Sequence, residues 1–103
     1  MVVLVDRNSN SAAEVTAAVL QAEGRARVVG SVSAGNTEVV YDNELDDGSI
    51  LALAEAKFKL FGGIDLEGKG VVPDATVDVD WTQYTERNDP QILKAIELLR
   101  SGK

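Results

Sequence analysis

The amino-terminal third of the chain constrains the fold more than any other part. The short, apolar and β-branched run 2–5 is typical of a buried strand, and the polar turn 6–10 follows it. Residues 11–23 then predict an amphipathic helix that Gly24 ends, and residues 26–29 predict a second short strand. The apolar stripe of the predicted helix is Val15, Ala18, Val19 and Ala22. A helix joining two such strands indicates a βαβ unit with parallel strands and a right-handed crossover.

The middle of the chain predicts a β-hairpin. Residues 37–41 indicate a strand, and Asp46-Asp47-Gly48 is a hairpin turn signal. Residues 50–60 are rich in Ala, Leu, Glu and Lys, which favours a helix on propensity alone. Apolar residues nevertheless alternate there with period two, and the turn pairs the segment with a strand, so we predict a second strand.

The carboxyl-terminal part predicts a short strand near residues 76–79 and a final helix. Asp89 is a suitable N-cap for this helix, and Pro90 suits its first position. The predicted apolar face is Ile92, Leu93, Ala95, Ile96 and Leu99. Residues 1–103 are therefore expected to form a single α/β domain with a modest core.

The composition argues against nucleic acid, an anionic membrane and a metal ion as binding partners. Ten basic and seventeen acidic side chains give a net charge of −7, so nucleic acid and anionic membranes are poor partners. No apolar run approaches the roughly 20 residues of a membrane span, and the first residues lack the basic region of a signal peptide. With no cysteine and no histidine, we expect no disulfide, no thiolate chemistry, no metal site and no cofactor.

Ser11 lies where the polar turn meets the first helix. There its hydroxyl would lie beside unpaired N–H groups at the positive end of the helix dipole, which suits a nucleophile whose attack creates an oxyanion. Ser11 and Glu14 also fit a capping box, in which each residue satisfies a backbone N–H of the other. Taken alone, this local pattern favours the structural role.

The complete pattern resembles the family of carboxy-terminal (tail-specific) processing serine proteases, which includes the tricorn-type proteases. The matching motifs follow in the family's order at residues 2–6, 9–14, 24–30, 47–49, 68–74 and 89–92. The resemblance implies a crotonase/ClpP-like α/β fold and hydrolysis of peptide bonds through an acyl-enzyme. It places the family's nucleophile on Ser11 and an oxyanion-stabilising N–H on Ala12.

The chain departs from the family at the general base. In the tail-specific branch, the loop after the second strand carries a lysine that deprotonates the serine, whereas this chain has Asn36 there, after Gly35. An amide cannot take a proton from Ser11. The tricorn-like branch implies instead an upstream histidine as base and a downstream supporting carboxylate, for which Glu67 is the candidate. Asn36 would then orient substrate or hold its loop, and Glu67 is equally interpretable as an exposed loop charge.

The resemblance also implies parts of a protease that this sequence does not contain. These are the upstream half of the catalytic domain, with a glycine-rich loop that donates a second oxyanion N–H, and a PDZ-like module. We therefore expect the carboxyl-terminal part of a catalytic domain, inactive alone, whose partners are a peptide substrate and the missing catalytic half. Exposed strand edges would favour self-association. The alternative is a non-catalytic interaction module that retains the fold. Family members are often extracytoplasmic, but the sequence does not indicate the compartment of this chain.

Overall fold

The computed structural model describes residues 1–60 and 62–102 and confirms the predicted α/β class. Strands β1, β2 and β5 form a parallel sheet in the order β1-β2-β5, and β3 and β4 form a separate antiparallel hairpin. No helix in the described part of the chain is both long and apolar enough to cross a membrane. The elements in chain order are β1 (Val2–Val5), α1 (Ala12–Ala22), β2 (Arg27–Gly30), β3 (Glu38–Glu44), β4 (Ile50–Lys57), β5 (Ala75–Thr76), a 3₁₀ turn (Trp81–Gln83) and α2 (Pro90–Arg100).

The predicted βαβ unit is present, with β1 and β2 paired in parallel from Val2↔Arg27 to Val5↔Gly30. Gly30 has a φ of 135°, and a Cβ atom there would lie 1.8 Å from the Val5 carbonyl oxygen. Only glycine allows the two strands to approach this closely at the carboxyl end of β2. β5 extends the sheet beside β2 through Val29↔Ala75 and Gly30↔Thr76.

The core lies between the sheet and α1. Val28 and Val29 are fully buried, and they point to opposite faces of the sheet because side chains alternate along a strand. α2 contacts β1 and β2. Complete burial of one such aliphatic side chain contributes roughly 1.5–3 kcal/mol. The core cluster is Val5, Ala17, Ala18, Val28, Leu66 and Val71, with Val3 and Leu60 packed against it.

Both helices bury a face that differs from the predicted apolar stripe. In α1 the buried residues are Glu14, Ala17 and Ala18, while Val19 is 41% exposed. In α2 the buried residues are Gln91, Ala95 and Leu98, while the predicted core residues Leu93, Ile96 and Leu99 are exposed. Each helix is therefore turned by about one residue, roughly 100°, from its predicted orientation. The reason is the same in both, because a polar side chain in the first turn is buried to hydrogen-bond a neighbouring loop.

The β3–β4 hairpin projects from the rest of the molecule. The prediction of a strand against helix propensity is confirmed, and every residue of β4 is exposed. Pairing runs from Glu44↔Ile50 at the turn to Glu38↔Lys57 at the base, with a bulge between Val39 and Val40. The radius of gyration is 16.6 Å, against about 13 Å for a compact domain of this length. The hairpin accounts for this extended shape.

Candidate active site

The turn between β1 and α1 holds Ser11 in an unusual backbone conformation. The Ser9 N–H donates to the Asp6 carbonyl at 2.9 Å, and the Ser9 hydroxyl accepts from the Asp6 N–H at 3.1 Å, which closes the first part of the turn. Ser11 then has φ 54° and ψ −126°, and it is the one residue other than glycine with a positive φ among those described. An N-cap residue normally has extended dihedral angles. Strained conformations of this kind cost about 1–3 kcal/mol and cluster at functional sites.

The capping box predicted for Ser11 and Glu14 is present, with the Ser11 side chain facing the Glu14 N–H and the Glu14 carboxylate accepting from the Ser11 N–H at 3.0 Å. The Ser11 side chain makes no further capping hydrogen bond. The Ser11 carbonyl also accepts from the N–H groups of Glu14 at 3.0 Å and Val15 at 3.2 Å. Within the described residues, the N–H of Ala12 donates to no backbone or side-chain oxygen. The N–H of Ala12, which lies next to the Ser11 hydroxyl in the first helical turn, is thus available to a ligand.

Glu14 ties the Ser11 turn to the loop that follows β2, residues 31–37. Its side chain is fully buried, and its carboxylate accepts hydrogen bonds from the Ser11 N–H at 3.0 Å and the Asn36 N–H at 3.0 Å. The same carboxylate accepts from the Ser33 hydroxyl at 2.6 Å and the Gly35 N–H at 2.5 Å. One buried carboxylate therefore fixes the positions of Ser11 and Asn36 together.

The charge of Glu14 is stabilised by these donors. Burial alone would raise the pKa of the Glu14 carboxyl, but the hydrogen bonds from Ser33, Gly35, Asn36 and Ser11 together hold that pKa below its ordinary value. Glu14 is therefore ionised at neutral pH. An anion with four donors is satisfied in the core, whereas an unpaired one would be strongly disfavoured.

The structure brings the predicted site residues Ser11, Gly35 and Asn36 together. The Ser11 N–H donates to the Asn36 carbonyl at 2.7 Å, and the Asn36 residue is exposed. Gly35 has a φ of 77°, and a Cβ atom there would lie 2.9 Å from the backbone nitrogen of Lys69. The position that carries the lysine in the tail-specific branch is thus next to Ser11, and glycine is required beside it.

Glu67 lies in the loop of residues 66–71, which packs against the 31–37 loop. Its carboxylate accepts from the Thr37 N–H at 2.6 Å and the Thr37 hydroxyl at 3.0 Å, and Thr37 is fully buried. Ser33 links the loops again, because its hydroxyl accepts from the Val71 N–H at 2.7 Å. These contacts engage Glu67 with Thr37, and its role as a supporting carboxylate stays a prediction.

Sequence reasoning missed Glu14 and Ser33 as organisers of the site. The sequence pattern indicates Glu14 only as the partner of Ser11 in a capping box. The available signal was helical spacing, because Glu14, Ala17 and Ala18 lie on one face and two alanines let a helix approach a sheet closely. In the described part of the chain, no cluster of three His, Cys, Asp or Glu side chains could hold a metal ion.

Comparison with known proteins identifies relatives over most of the chain. A family model described as peptidase family S41 matches residues 1–77. The carboxyl-terminal-processing protease of Synechocystis sp. is 32% identical over 105 residues, which covers 99% of this chain and 25% of that protein. A probable CtpA-like serine protease of Staphylococcus aureus is 38% identical over 76 residues, which covers 74% of this chain and 15% of the relative.

Two solved structures share the fold. The photosystem II D1 C-terminal processing protease aligns with a TM-score of 0.69 and 35% identity, over 75% of this chain and 20% of that one. The tricorn protease aligns with a TM-score of 0.81 over 95% of this chain and 10% of that one, and its 24% identity supports the fold alone. The chain thus spans a quarter or less of the length of these relatives.

Proposed function

This chain belongs to peptidase family S41, and we propose that it carries the nucleophile of a carboxyl-terminal-processing serine endopeptidase. The observation that carries the proposal is the strained backbone of Ser11, with φ 54° and ψ −126°. A strand that leads through a sharp, strained turn into a helix is how other serine hydrolases present their nucleophile. A residue that only capped α1 would have no need of that conformation.

The reaction follows from these positions. The Ser11 hydroxyl oxygen adds to the carbonyl carbon of the scissile peptide bond, while its proton passes to a general base. The N–H of Ala12 donates to the oxyanion, helped by the amino-terminal end of α1. The C–N bond then breaks as the amine leaves with that proton, and water hydrolyses the acyl ester on Ser11. The substrate is a peptide or protein.

We assign the general base to a residue outside this chain. Asn36 occupies the lysine position of the tail-specific branch, and the 103 residues include no histidine. A histidine in the upstream half of the catalytic domain fits this arrangement, with a second oxyanion donor from the same region. The chain alone is then expected to be inactive, because the members of such a site act as a unit.

The experiment that tests this proposal is labelling with a fluorophosphonate probe, read by intact mass. The samples are this chain, a longer protein with the upstream catalytic half added, and the longer protein carrying Ser11→Ala or, as the matched control at the carboxyl end of α2, Ser101→Ala. We expect labelling of the longer protein and of Ser101→Ala, and none of Ser11→Ala or of the short chain. Absence of labelling in the longer protein, with another serine hydrolase labelled in parallel, would contradict the assignment.

A second candidate is a non-catalytic interaction module that retains the protease fold. Two observations favour it: an amide replaces the lysine at Asn36, and the β3–β4 hairpin exposes apolar side chains such as Tyr41 and Leu53. In this case Ser11→Ala would leave both partner binding and probe reactivity of the longer protein unchanged.

A further inference from the structure

A groove of about 270 Å³ lies beside the turn that leads to Ser11. One wall is formed by residues 6–8, which follow β1, and the other by residues 79–82, which follow β5. Because β1 and β5 belong to one parallel sheet, both walls stand at its carboxyl edge, where Ser11 also lies. Crevices at this edge are the usual ligand sites of parallel α/β sheets.

The groove combines an aromatic surface with acidic groups. Trp81, the single tryptophan of the chain, lines it and is 52% exposed. Asp6 and Asp80 also line it, and each uses its Oδ1 atom for a local turn, accepting from the N–H of Asn8 and of Thr82 respectively. Hydrogen bonds from the hydroxyl and N–H of Thr82 lower the pKa of the Asp80 carboxyl, so Asp80 is negative at neutral pH.

The positive charge at the groove is already paired. Arg7 lies 3.2 Å from Asp78, both side chains being largely exposed. An anionic ligand would have to compete with Asp78 for Arg7 and approach Asp6 and Asp80 on a chain of net charge −7. A cation is repelled by Arg7, which lines the groove and also acts on Asp80, but Asp78 offsets that charge and two carboxylates line the groove. Its alkyl stem can lie along the Trp81 ring while its charge faces the two carboxylates, an arrangement that lysine and arginine favour.

We propose that this groove binds a lysine or arginine side chain of the peptide substrate, close to the bond that Ser11 attacks. The presence of a peptide at this edge rests on the proposed function, whereas the affinity of the groove for a basic side chain does not. The groove is therefore a specificity subsite beside the turn that leads to Ser11.

The single tryptophan provides a direct test, because Trp81 fluorescence reports on the groove alone. The 103-residue chain is titrated with the capped peptides Ac-Ala-Lys-Ala-NH₂, Ac-Ala-Arg-Ala-NH₂, Ac-Ala-norleucine-Ala-NH₂ and Ac-Ala-Glu-Ala-NH₂, with excitation beyond the tyrosine band. We expect a saturable change with the lysine and arginine peptides that weakens as salt is raised. We expect at least about tenfold weaker binding of the norleucine peptide, equivalent to 1.4 kcal/mol.

Matched variants assign the effect to the groove. Asp80→Asn keeps an acceptor for the Thr82 N–H but removes the charge, and Asp6→Asn does the same for the Asn8 N–H. We expect each to weaken lysine-peptide binding about three- to tenfold, whereas Glu23→Gln, at the far end of α1, leaves it unchanged. Circular dichroism checks that every variant is folded, and Asp6→Asn replaces Asp80→Asn if the latter unfolds.

The results separate this proposal from the proposed function. Equal binding of the norleucine and lysine peptides, no saturable change, or full binding by both folded aspartate variants would each overturn the basic subsite. Ser11→Ala should bind the lysine peptide like the parent chain, because the fluorescence does not depend on catalysis. Probe labelling at Ser11 without peptide binding would leave the nucleophile in place and remove the subsite. Peptide binding without probe labelling of Ser11 would support the subsite and contradict the assignment of Ser11 as the nucleophile.

Discussion

Ser11 and Asp89 each precede a helix, but only Asp89 has the geometry of a cap. Asp89 has φ −67° and ψ 118°, and its carboxylate accepts from the Gln91 N–H at 2.8 Å. Ser11 lacks the extended backbone of a cap, although its side chain faces the Glu14 N–H in a capping box. We therefore predict that Asp89→Ala lowers the free energy of unfolding by about 1 kcal/mol, while Ser11→Ala changes it by less than about 0.5 kcal/mol. Urea unfolding of both variants measures the difference, and an equal loss would identify Ser11 as a cap.

The backbone of Ser11 gives a second prediction. Glycine reaches positive φ without steric cost, so Ser11→Gly should relieve strain that Ser11→Ala retains. We expect the glycine variant to be more stable than the alanine variant by about 1 kcal/mol in the same urea experiment. A glycine variant less stable than the alanine variant would contradict a strained conformation at residue 11. The local capping box with Glu14 could be predicted from the sequence, but the long-range hydrogen bond from the Ser11 N–H to the Asn36 carbonyl, which accompanies this conformation, could not.

The charge of Glu14 should appear in the acid stability of the chain. Its pKa is lower in the folded state than in the unfolded state. The resulting stabilisation is present above the unfolded pKa and is lost as the pH falls through the folded pKa. Glu14→Gln should be destabilised by about 2–3 kcal/mol at neutral pH, because an amide cannot accept from four donors as a carboxylate does.

Urea unfolding of the parent chain and Glu14→Gln at a series of pH values checks this prediction. The difference between the two should be largest near neutral pH and shrink below about pH 5. The exposed carboxyl groups with lowered pKa, Asp47, Asp65 and Asp80, are present in both proteins and cancel in the comparison. A difference that did not depend on pH would show that Glu14 acts through packing alone.

Patterns in the sequence predict the elements better than the orientation of the elements. Period-two alternation correctly identified β4 although its composition favours a helix, because the Asp47-Gly48 turn forces the chain back along β3. Asp89 and Pro90 correctly marked the start of α2. The predicted apolar faces include the buried residues Ala18 and Ala95 but are otherwise displaced by about one residue. Hydrophobicity cannot reveal, for example, that Gln91 is buried to donate to the Val77 carbonyl.

A pair of adjacent leucines tests the orientation of α2. Leu98 is 8% exposed and Leu99 is 55% exposed, although the sequence placed Leu99 on the apolar face. Both have the same helix propensity, so the two substitutions differ only in burial. We predict that Leu98→Ala costs about 2–4 kcal/mol of unfolding free energy and Leu99→Ala less than about 1 kcal/mol. Thermal or urea unfolding gives the comparison, and the reverse order would restore the orientation predicted from the sequence.

The candidate site depends on three segments that meet at the carboxyl edge of the sheet. Glu14 joins the Ser11 turn to the 31–37 loop, and Glu67 and Ser33 join that loop to residues 66–71. The 31–37 loop also precedes β3, and the Phe58 N–H after β4 donates to the Thr37 carbonyl at 3.3 Å. The hairpin therefore starts and ends beside the loops that hold Asn36, and a partner bound to the hairpin would act next to the candidate site.

The exposed hairpin predicts self-association of the chain. Cross-strand pairing puts Tyr41 opposite Leu53, and Leu51 lies two residues from Leu53 on the same face. These three apolar side chains are 43–52% exposed on a ribbon that is only marginally stable without a covering surface. The net charge of −7 opposes association of two copies, so salt should strengthen it by screening that repulsion.

Sedimentation velocity over a range of protein and salt concentrations tests this prediction. We expect the parent chain to form a dimer or larger species whose fraction rises with both concentrations. Leu53→Lys should abolish the association even though it reduces the negative charge, because it breaks the apolar face of the hairpin. Leu93→Lys makes the same chemical change on the exposed side of α2 and should leave the association intact. A monomer under all conditions would contradict the prediction. Loss of association in Leu93→Lys but not in Leu53→Lys would show that the copies contact each other through α2 and not through the hairpin.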